Sequence, residues 1–370
     1  MGESLKKMVA RVVRPDVCAM SAYHVPNATG MVKLDAMENP YSWPGELTGW
    51  PEILAGVEAN RYPDPAAREL TAAVRQAMAI GEEYTIVLGN GSDELIHLLI
   101  QLIAAPGARV IAPEPSFVMY RLLAEANRVE YQGVPLREDF QLDMPRMLAA
   151  VAGDAPSVLF LACPNNPTGI RYHEADIRQL VEASSGLVVV DEAYIAFSSA
   201  DALPLLNDYP NLLVMRTLSK MGLAGLRLGI LVGRPEWTQE VDKLRLPYNI
   251  NVLTQVAAKL ALQNYSQMLT QAIDICHLRE ALFDGLHTIR VQDNAAFTNI
   301  WASQANFILL RTQPDQAKPI FESLKQQGVL IKCLDGAHPA LADCLRITVG
   351  KAEENAILLE ALHQACTEID

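Results

Sequence analysis

Between residues 85 and 232 the chain repeats one pattern, a short apolar run followed by a stretch with helical spacing. The runs lie at 85–89, 109–112, 129–132, 157–162, 187–191, 212–216 and 228–232, and helical spacing is plainest at 93–103 and 174–182. Strands that alternate with helices make a mainly parallel sheet covered on both faces. The near-continuous apolar run 187–190 suits a strand buried on both sides. An α/β fold with a seven-stranded sheet follows, and ligands of such sheets gather beyond the carboxyl ends of the strands.

After about residue 250 the pattern changes. A long helical stretch at 253–286 leads to strands near 306–310, 329–332 and 344–349 and a last helix at 352–365. This reads as a smaller α+β domain. The expected division is an N-terminal segment, 1–40, packed on the small domain, a large domain over 41–260, and the small domain over 261–370. With 370 residues, half of them hydrophobic, the chain can bury more than one core.

A net charge of −13 argues against nucleic acid and anionic membranes as partners. No run of about 18 apolar residues predicts a membrane span. The first 14 residues do not read as a secretory signal. The six cysteines are scattered, with no Cys-x-x-Cys pair, so neither a metal centre nor a redox pair is expected. The expectation is a reduced, cytoplasmic protein.

Several strand ends carry chemistry. In Arg216-Thr-Leu-Ser-Lys220-Met-Gly-Leu-Ala-Gly-Leu-Arg227, a lysine follows an apolar run and two hydroxyl residues, with an arginine seven residues on. Such a lysine can form an imine with an aldehyde cofactor, and Thr217, Ser219 and Arg227 can hold that cofactor's phosphate. The segment suggests pyridoxal phosphate, although a solvated lysine at a strand end fits it too. Gly89-Asn-Gly-Ser92-Asp93 ends a strand and opens a helix, whose free amides attract phosphate; it also reads as a turn capped by Ser92 or Asp93. Cys163-Pro-Asn-Asn166-Pro-Thr-Gly169 holds Asn166 on a loop stiffened by two prolines, or is a plain turn. Asp191-Glu-Ala-Tyr194 ends the most apolar strand. A carboxylate there needs a cation, such as a pyridinium nitrogen, or serves the next helix as a cap. Tyr62, before a proline, marks an ordered loop. Phe117 is a core aromatic or a ring-stacking one. Arg346, inside an apolar strand, needs an anion, either a substrate or an internal partner.

Taken in order, these motifs resemble the fold-type I enzymes that use pyridoxal phosphate, and the chain is most similar to histidinol-phosphate aminotransferase among the class II aminotransferases. The likeness rests on Leu34-Asp-Ala-Met-Glu-Asn-Pro-Tyr41, Arg61-Tyr-Pro-Asp-Pro65, Pro164-Asn-Asn-Pro-Thr-Gly169, Arg216-Thr-Leu-Ser-Lys220 and Cys344-Leu-Arg-Ile-Thr-Val-Gly350, and runs from about Arg14 to the end. It implies that Lys220 holds the cofactor covalently and carries a proton. It implies that Asp191 pairs with the ring nitrogen, that Asn166 and Tyr194 bond the ring hydroxyl, and that Phe117 stacks on the ring. Ser92, Asp93, Thr217, Ser219 and Arg227 would form the phosphate cup. Tyr62 would reach that phosphate in a neighbouring subunit, making a homodimer. Tyr23 and Arg346, with Lys332, would face the substrate's anionic end.

The implied reaction converts L-histidinol phosphate and 2-oxoglutarate to imidazole-acetol phosphate and L-glutamate by ping-pong kinetics. Met37 stands where the family usually has asparagine, and Lys332 where it often has arginine. Three other functions share parts of the pattern: an aromatic amino acid aminotransferase, a threonine-phosphate decarboxylase, and a pyridoxal-phosphate sensor domain of a transcription regulator. The last needs a DNA-binding module that these residues do not suggest.

Overall fold

The structure is a computed structural model that describes residues 2–22, 26–42, 50–199, 201–292 and 296–368. After a short strand β1 (Val32–Lys33), the seven expected runs form β2 (Thr85–Asn90), β3 (Arg109–Glu114), β4 (Glu130–Pro135), β5 (Ser157–Ala162), β6 (Leu187–Asp191), β7 (Leu212–Thr217) and β8 (Leu228–Gly233). They make one sheet in the order β2-β8-β7-β6-β5-β3-β4. All pairings are parallel except those of β8, which runs antiparallel to β2 and β7.

Strands β5 to β8 are buried along their whole length. Side chains alternate across a sheet, and here the two sets feed two cores. Leu159, Leu161, Val188, Val190 and Val214 face one side, while Val158, Phe160, Val189, Leu213 and Met215 face the other. Helices on both faces close these cores, which is why the runs show no polar alternation.

A second sheet holds β9 (Phe297–Ile300), β10 (Phe307–Thr312), β12 (Lys332–Cys333) and β13 (Cys344–Thr348) in the order β12-β13-β10-β9, all antiparallel. Strand β11 (Val329–Leu330) pairs with β1 instead. The run expected as one strand at 329–332 is therefore two, because its halves pair with different partners. The long helical stretch is also two helices, Val252–Gln263 and Tyr265–Gln292. The break is Asn264, whose amide nitrogen Nδ2 donates to Leu260 O at 2.9 Å, the side-chain competition for backbone that makes asparagine a poor helix residue.

The N-terminal residues touch both units. Arg14 donates to Ala126 O at 2.7 Å, at the end of helix Met119–Ala126 beside the large sheet. Residues 32–34 join the second unit through β1 and through Thr348 N, which donates to Leu34 O. No helix among the described residues is long and apolar enough to cross a membrane.

Candidate active site

Register sets the site. Asp191 at the end of β6 lies level with Ala162 of β5 and Met215 of β7, and Thr217 of β7 lies level with Gly229 near the start of β8. Because β8 runs backwards, its beginning and the end of β2 meet at the same edge, at Leu228 and Asn90. Five strands thus bring their polar ends to one cavity of about 560 Å³ including its open mouth.

On the floor, the buried Asp191 carboxyl accepts from Tyr120 Oη at 2.6 Å and from Ala193 N at 3.1 Å. Burial pushes its pKa up to about 6, against the pull of those two donors. Tyr120 is itself fully buried, stacked on Phe160 with ring centres 4.7 Å apart and edge-on to Phe117 at 5.6 Å. Phe117 and Ala162 line the cavity with Asp191. Tyr120 was not foreseen from sequence. Its only signal is a hydroxyl at a core-like helical position, which must find a partner when buried.

Lys220 follows β7 in a single 3₁₀ turn, Ser219–Met221, and lines the same cavity. Its Nζ donates to Ala36 O at 3.2 Å and lies 5.7 Å from the centre of the Tyr194 ring. Burial first, then the positive charge of Arg346, lower its pKa to about 8, so a useful share of the amine is neutral near physiological pH. Tyr194 is buried, edge-on to Phe307 of the second sheet at 5.2 Å, and its hydroxyl lies 3.2 Å from Met37 Sδ.

At the far end, helix Gly91–Ile103 opens without a side-chain cap, so neither Ser92 nor Asp93 caps it. Both line the cavity, as do Thr217, Ser219 and Arg227. Arg227 Nη2 donates to Asp93 Oδ2 at 3.0 Å, and Arg227 O accepts from Gly91 N at 2.9 Å. Thr217 Oγ1 lies 2.8 Å from Leu228 O and 2.9 Å from Ser219 Oγ. Space is tight here. A Cβ on Gly91, whose φ is +74°, would fall 2.5 Å from Arg227 Nη2, and one on Gly229 would fall 2.4 Å from the Gly91 carbonyl carbon.

The second sheet backs the cavity without lining it, through a contact with Asn166. Arg346 of β13 is buried, and its Nη1 donates to Asn166 Oδ1 at 2.6 Å while Nη2 donates to Asp35 O at 2.9 Å. Two of its hydrogen bonds thus go to neutral oxygens. Lys332 is level with Arg346 on the neighbouring strand, which puts the two side chains on one face. Lys332 is half-buried and does not line the cavity. Tyr62 also stays outside its own chain's cavity; it is 80% exposed and stacks on Tyr248 at 4.5 Å. Tyr23 lies outside the described residues.

Behind the floor, a second feature went unforeseen. Arg216 Nε and Nη2 both reach Glu192 Oε2 at 2.8 Å, and both residues are buried. This pair ties the residue after Asp191 to the residue before Thr217. The arrangement offers an amine of lowered pKa, a desolvated carboxyl and an anion-ready helix start in one enclosure, with a buried guanidinium behind its Asn166 wall, a set suited to covalent capture of an anionic carbonyl compound and to proton transfer on it.

Residues 30–362 match the family described as "Aminotransferase class I and II". The chain is 51% identical over 358 residues to histidinol-phosphate aminotransferase 2 of Nitrosococcus oceani, covering 96% of this chain and 98% of that protein. It is 48% identical over 363 residues to histidinol-phosphate aminotransferase of Chromobacterium violaceum, covering 97% and 99%. Among solved structures it resembles histidinol-phosphate aminotransferase from Sinorhizobium meliloti in complex with pyridoxal-5'-phosphate, with a TM-score of 0.85, 24% identity, and 97% and 98% coverage. It also resembles L-threonine-O-3-phosphate decarboxylase from Porphyromonas gingivalis, with a TM-score of 0.75, 19% identity, and 91% and 99% coverage. The two structural likenesses speak to the fold alone.

Proposed function

The chain belongs to the class I and II aminotransferases and, within them, to the histidinol-phosphate aminotransferases, and from that membership we propose that it moves the amino group of L-histidinol phosphate to 2-oxoglutarate with pyridoxal phosphate as cofactor. The products are imidazole-acetol phosphate and L-glutamate, in histidine biosynthesis. The observation that carries this reading is one cavity walled by Lys220, Asp191 and Asn166, with Arg346 bonded to Asn166 from the second sheet.

Pyridoxal phosphate suits this cavity on three counts. The Asp191 carboxyl, lifted by burial, gains from facing a cationic ring nitrogen. The uncapped helix start with Arg227 suits a phosphate. Gly91 and Gly229 let the helix start, Arg227 and β8 pack closely together, which sets Ser92, Asp93 and Arg227 at one end of the cavity. When bound, the cofactor supplies an aldehyde that takes up the amino group and a ring that draws electrons from the substrate's Cα–H bond.

The roles of the chain's own residues follow from their chemistry. Lys220 Nζ would hold the cofactor covalently and would serve as general base for the Cα proton; its lowered pKa favours both tasks. Asp191 keeps a proton on the ring nitrogen. The Asn166 carboxamide turns Oδ1 to Arg346 and so leaves Nδ2 to donate to the ring oxygen, with the Tyr194 hydroxyl as second donor. Phe117 stacks on the ring. Ser92, Thr217, Ser219, Arg227 and the main-chain N–H of Asp93 hold the phosphate. Arg346, with Lys332 beside it, receives the substrate's phosphate or carboxylate, since both substrates use one site; the same role is proposed for Tyr23, which lies outside the described residues.

Tyr62, exposed on its own chain, reaches the phosphate of a second copy, so the working unit is a homodimer. Residues 41–260 act as the cofactor-binding domain, 261–370 as the smaller domain, and 1–40 as a segment beside it.

The test is a steady-state assay with L-histidinol phosphate and 2-oxoglutarate, on the protein and on Lys220→Ala. Turnover by the protein and none by the variant is expected. A variant that transaminates near the normal rate would overturn the assignment.

A further inference from the structure

Residues 34–37 cross the cavity wall as a strap whose peptide groups are claimed one after another. Thr348 N donates to Leu34 O at 2.9 Å, Arg346 to Asp35 O and Lys220 to Ala36 O. Met37 N donates to Thr348 Oγ1 at 2.9 Å, and Met37 O accepts from Asn306 Nδ2 at 2.9 Å. Pinned this way, Met37 has a φ of +55°. That left-handed conformation is unfavourable for a side chain of this kind and is easier for asparagine or glycine. Strain held in place by surrounding bonds points to a use for the side chain it presents.

The side chain enters the cavity, where Sδ meets the Tyr194 hydroxyl at 3.2 Å. The same cavity is lined by Asn166, Asp191, Lys220 and Arg227, polar or charged, and by Phe117, Ala162, Ala193 and Tyr194. A thioether accepts hydrogen bonds only weakly and packs well against ring edges. This part of the wall therefore gives a carboxylate nothing, and gives a heteroaromatic ring a polarizable contact.

We propose that Met37 is a specificity-determining residue, its thioether forming the wall on which the ring of the amine donor packs. Arg346 serves both substrates through their anionic ends; Met37 separates them by their other ends. The proposal rests on the aminotransferase reading above and adds to it the element that prefers a ring-bearing donor to glutamate.

The test uses the cofactor-loaded protein with Met37→Asn and Met37→Leu. Asparagine tolerates the left-handed backbone, so folding is not at risk, and leucine keeps the apolar bulk without sulfur. Single-turnover kcat/KM is measured for L-histidinol phosphate and for glutamate, and the urea midpoint of each cofactor-free protein is recorded. Met37→Asn is expected to lower the ratio of the two constants roughly tenfold, Met37→Leu roughly threefold or less. The midpoint of Met37→Asn is expected to hold or rise. An unchanged ratio in Met37→Asn overturns the proposal. So does an equal fall for both donors with a lower midpoint, which marks a merely structural residue. If the unaltered protein converts neither donor, the underlying reading fails, and this one with it.

Discussion

The Tyr120 hydroxyl donates a 2.6 Å hydrogen bond to Asp191 Oδ2 beneath the cavity floor, and both residues are buried. The bond opposes the upward push of burial on the Asp191 carboxyl. It therefore helps keep that group anionic, as its role against a cationic ring nitrogen requires. Tyr120→Phe keeps the stack on Phe160 and deletes only the donor. The Asp191 pKa should then climb further above about 6, with kcat down roughly tenfold and the acid limb of the pH–rate profile moved to higher pH. A variant whose acid limb coincides with that of the unaltered enzyme would contradict this role.

Asp191 also leaves a mark on the stability of the cofactor-free protein. Its folded pKa, about 6, lies above the usual 3.8, so the folded state holds a proton that the unfolded chain has released. The stability from this proton is complete below about pH 4 and is lost as pH rises through about 6. The loss is on the order of 3 kcal/mol. Glu192, pushed by burial to about 7, acts in the same direction. A comparison with Asp191→Asn cancels the Glu192 part. Urea midpoints measured across this range should fall less steeply in Asp191→Asn than in the unaltered protein. Equal slopes would show that the carboxyl is not desolvated.

Three glycines near the phosphate side separate space from conformation. Gly229→Ala drives a Cβ into the Gly91 backbone, and Gly91→Ala both strains a φ of +74° and displaces Arg227. Each should weaken pyridoxal phosphate binding by roughly tenfold or more, with Gly229→Ala the worse because backbone cannot step aside. Gly225→Ala, with nothing within 4 Å of the new Cβ, should bind normally. Fluorescence titration of the cofactor-free proteins gives the dissociation constants. Normal binding by Gly229→Ala would mean that the phosphate lies elsewhere.

The homodimer can be tested by complementation. Tyr62→Ala and Lys220→Ala subunits are each expected to be impaired alone. Mixed dimers restore one complete site if Tyr62 acts across the interface, and activity should return on mixing after mild dissociation. No return would mean that Tyr62 serves its own chain or no site at all.

Much of this was legible from the chain. Runs such as 157–162 and 187–191 were bounded correctly because continuous apolar stretches end abruptly in turn or charged residues. The strand-end groups Asp191, Lys220 and Asn166 stood out because each breaks such a run or sits in a proline-stiffened loop. The reversal of β8 was not legible, since strand direction depends on chain topology rather than on local pattern. The division of 253–286 at Asn264 was hidden because helical spacing continues on both sides of one polar residue. The split at Ile331 was hidden because three apolar residues and a lysine do not reveal a change of partner. Tyr120 was missed because its spacing is that of any core aromatic, and the Glu192–Arg216 pair because each residue, read singly, looks like a strand-end charge.

The cavity is proposed to accept amino groups from L-histidinol phosphate through pyridoxal phosphate. The most direct test is a half-reaction. The purified protein is loaded with pyridoxal phosphate, its visible absorption band is recorded, and L-histidinol phosphate is added with no 2-oxo acid present. Loss of the band to the aminated cofactor at low substrate, with phenylalanine needing far higher concentrations, is the predicted result. Conversion by phenylalanine as readily as by L-histidinol phosphate, or no conversion by either, would contradict it.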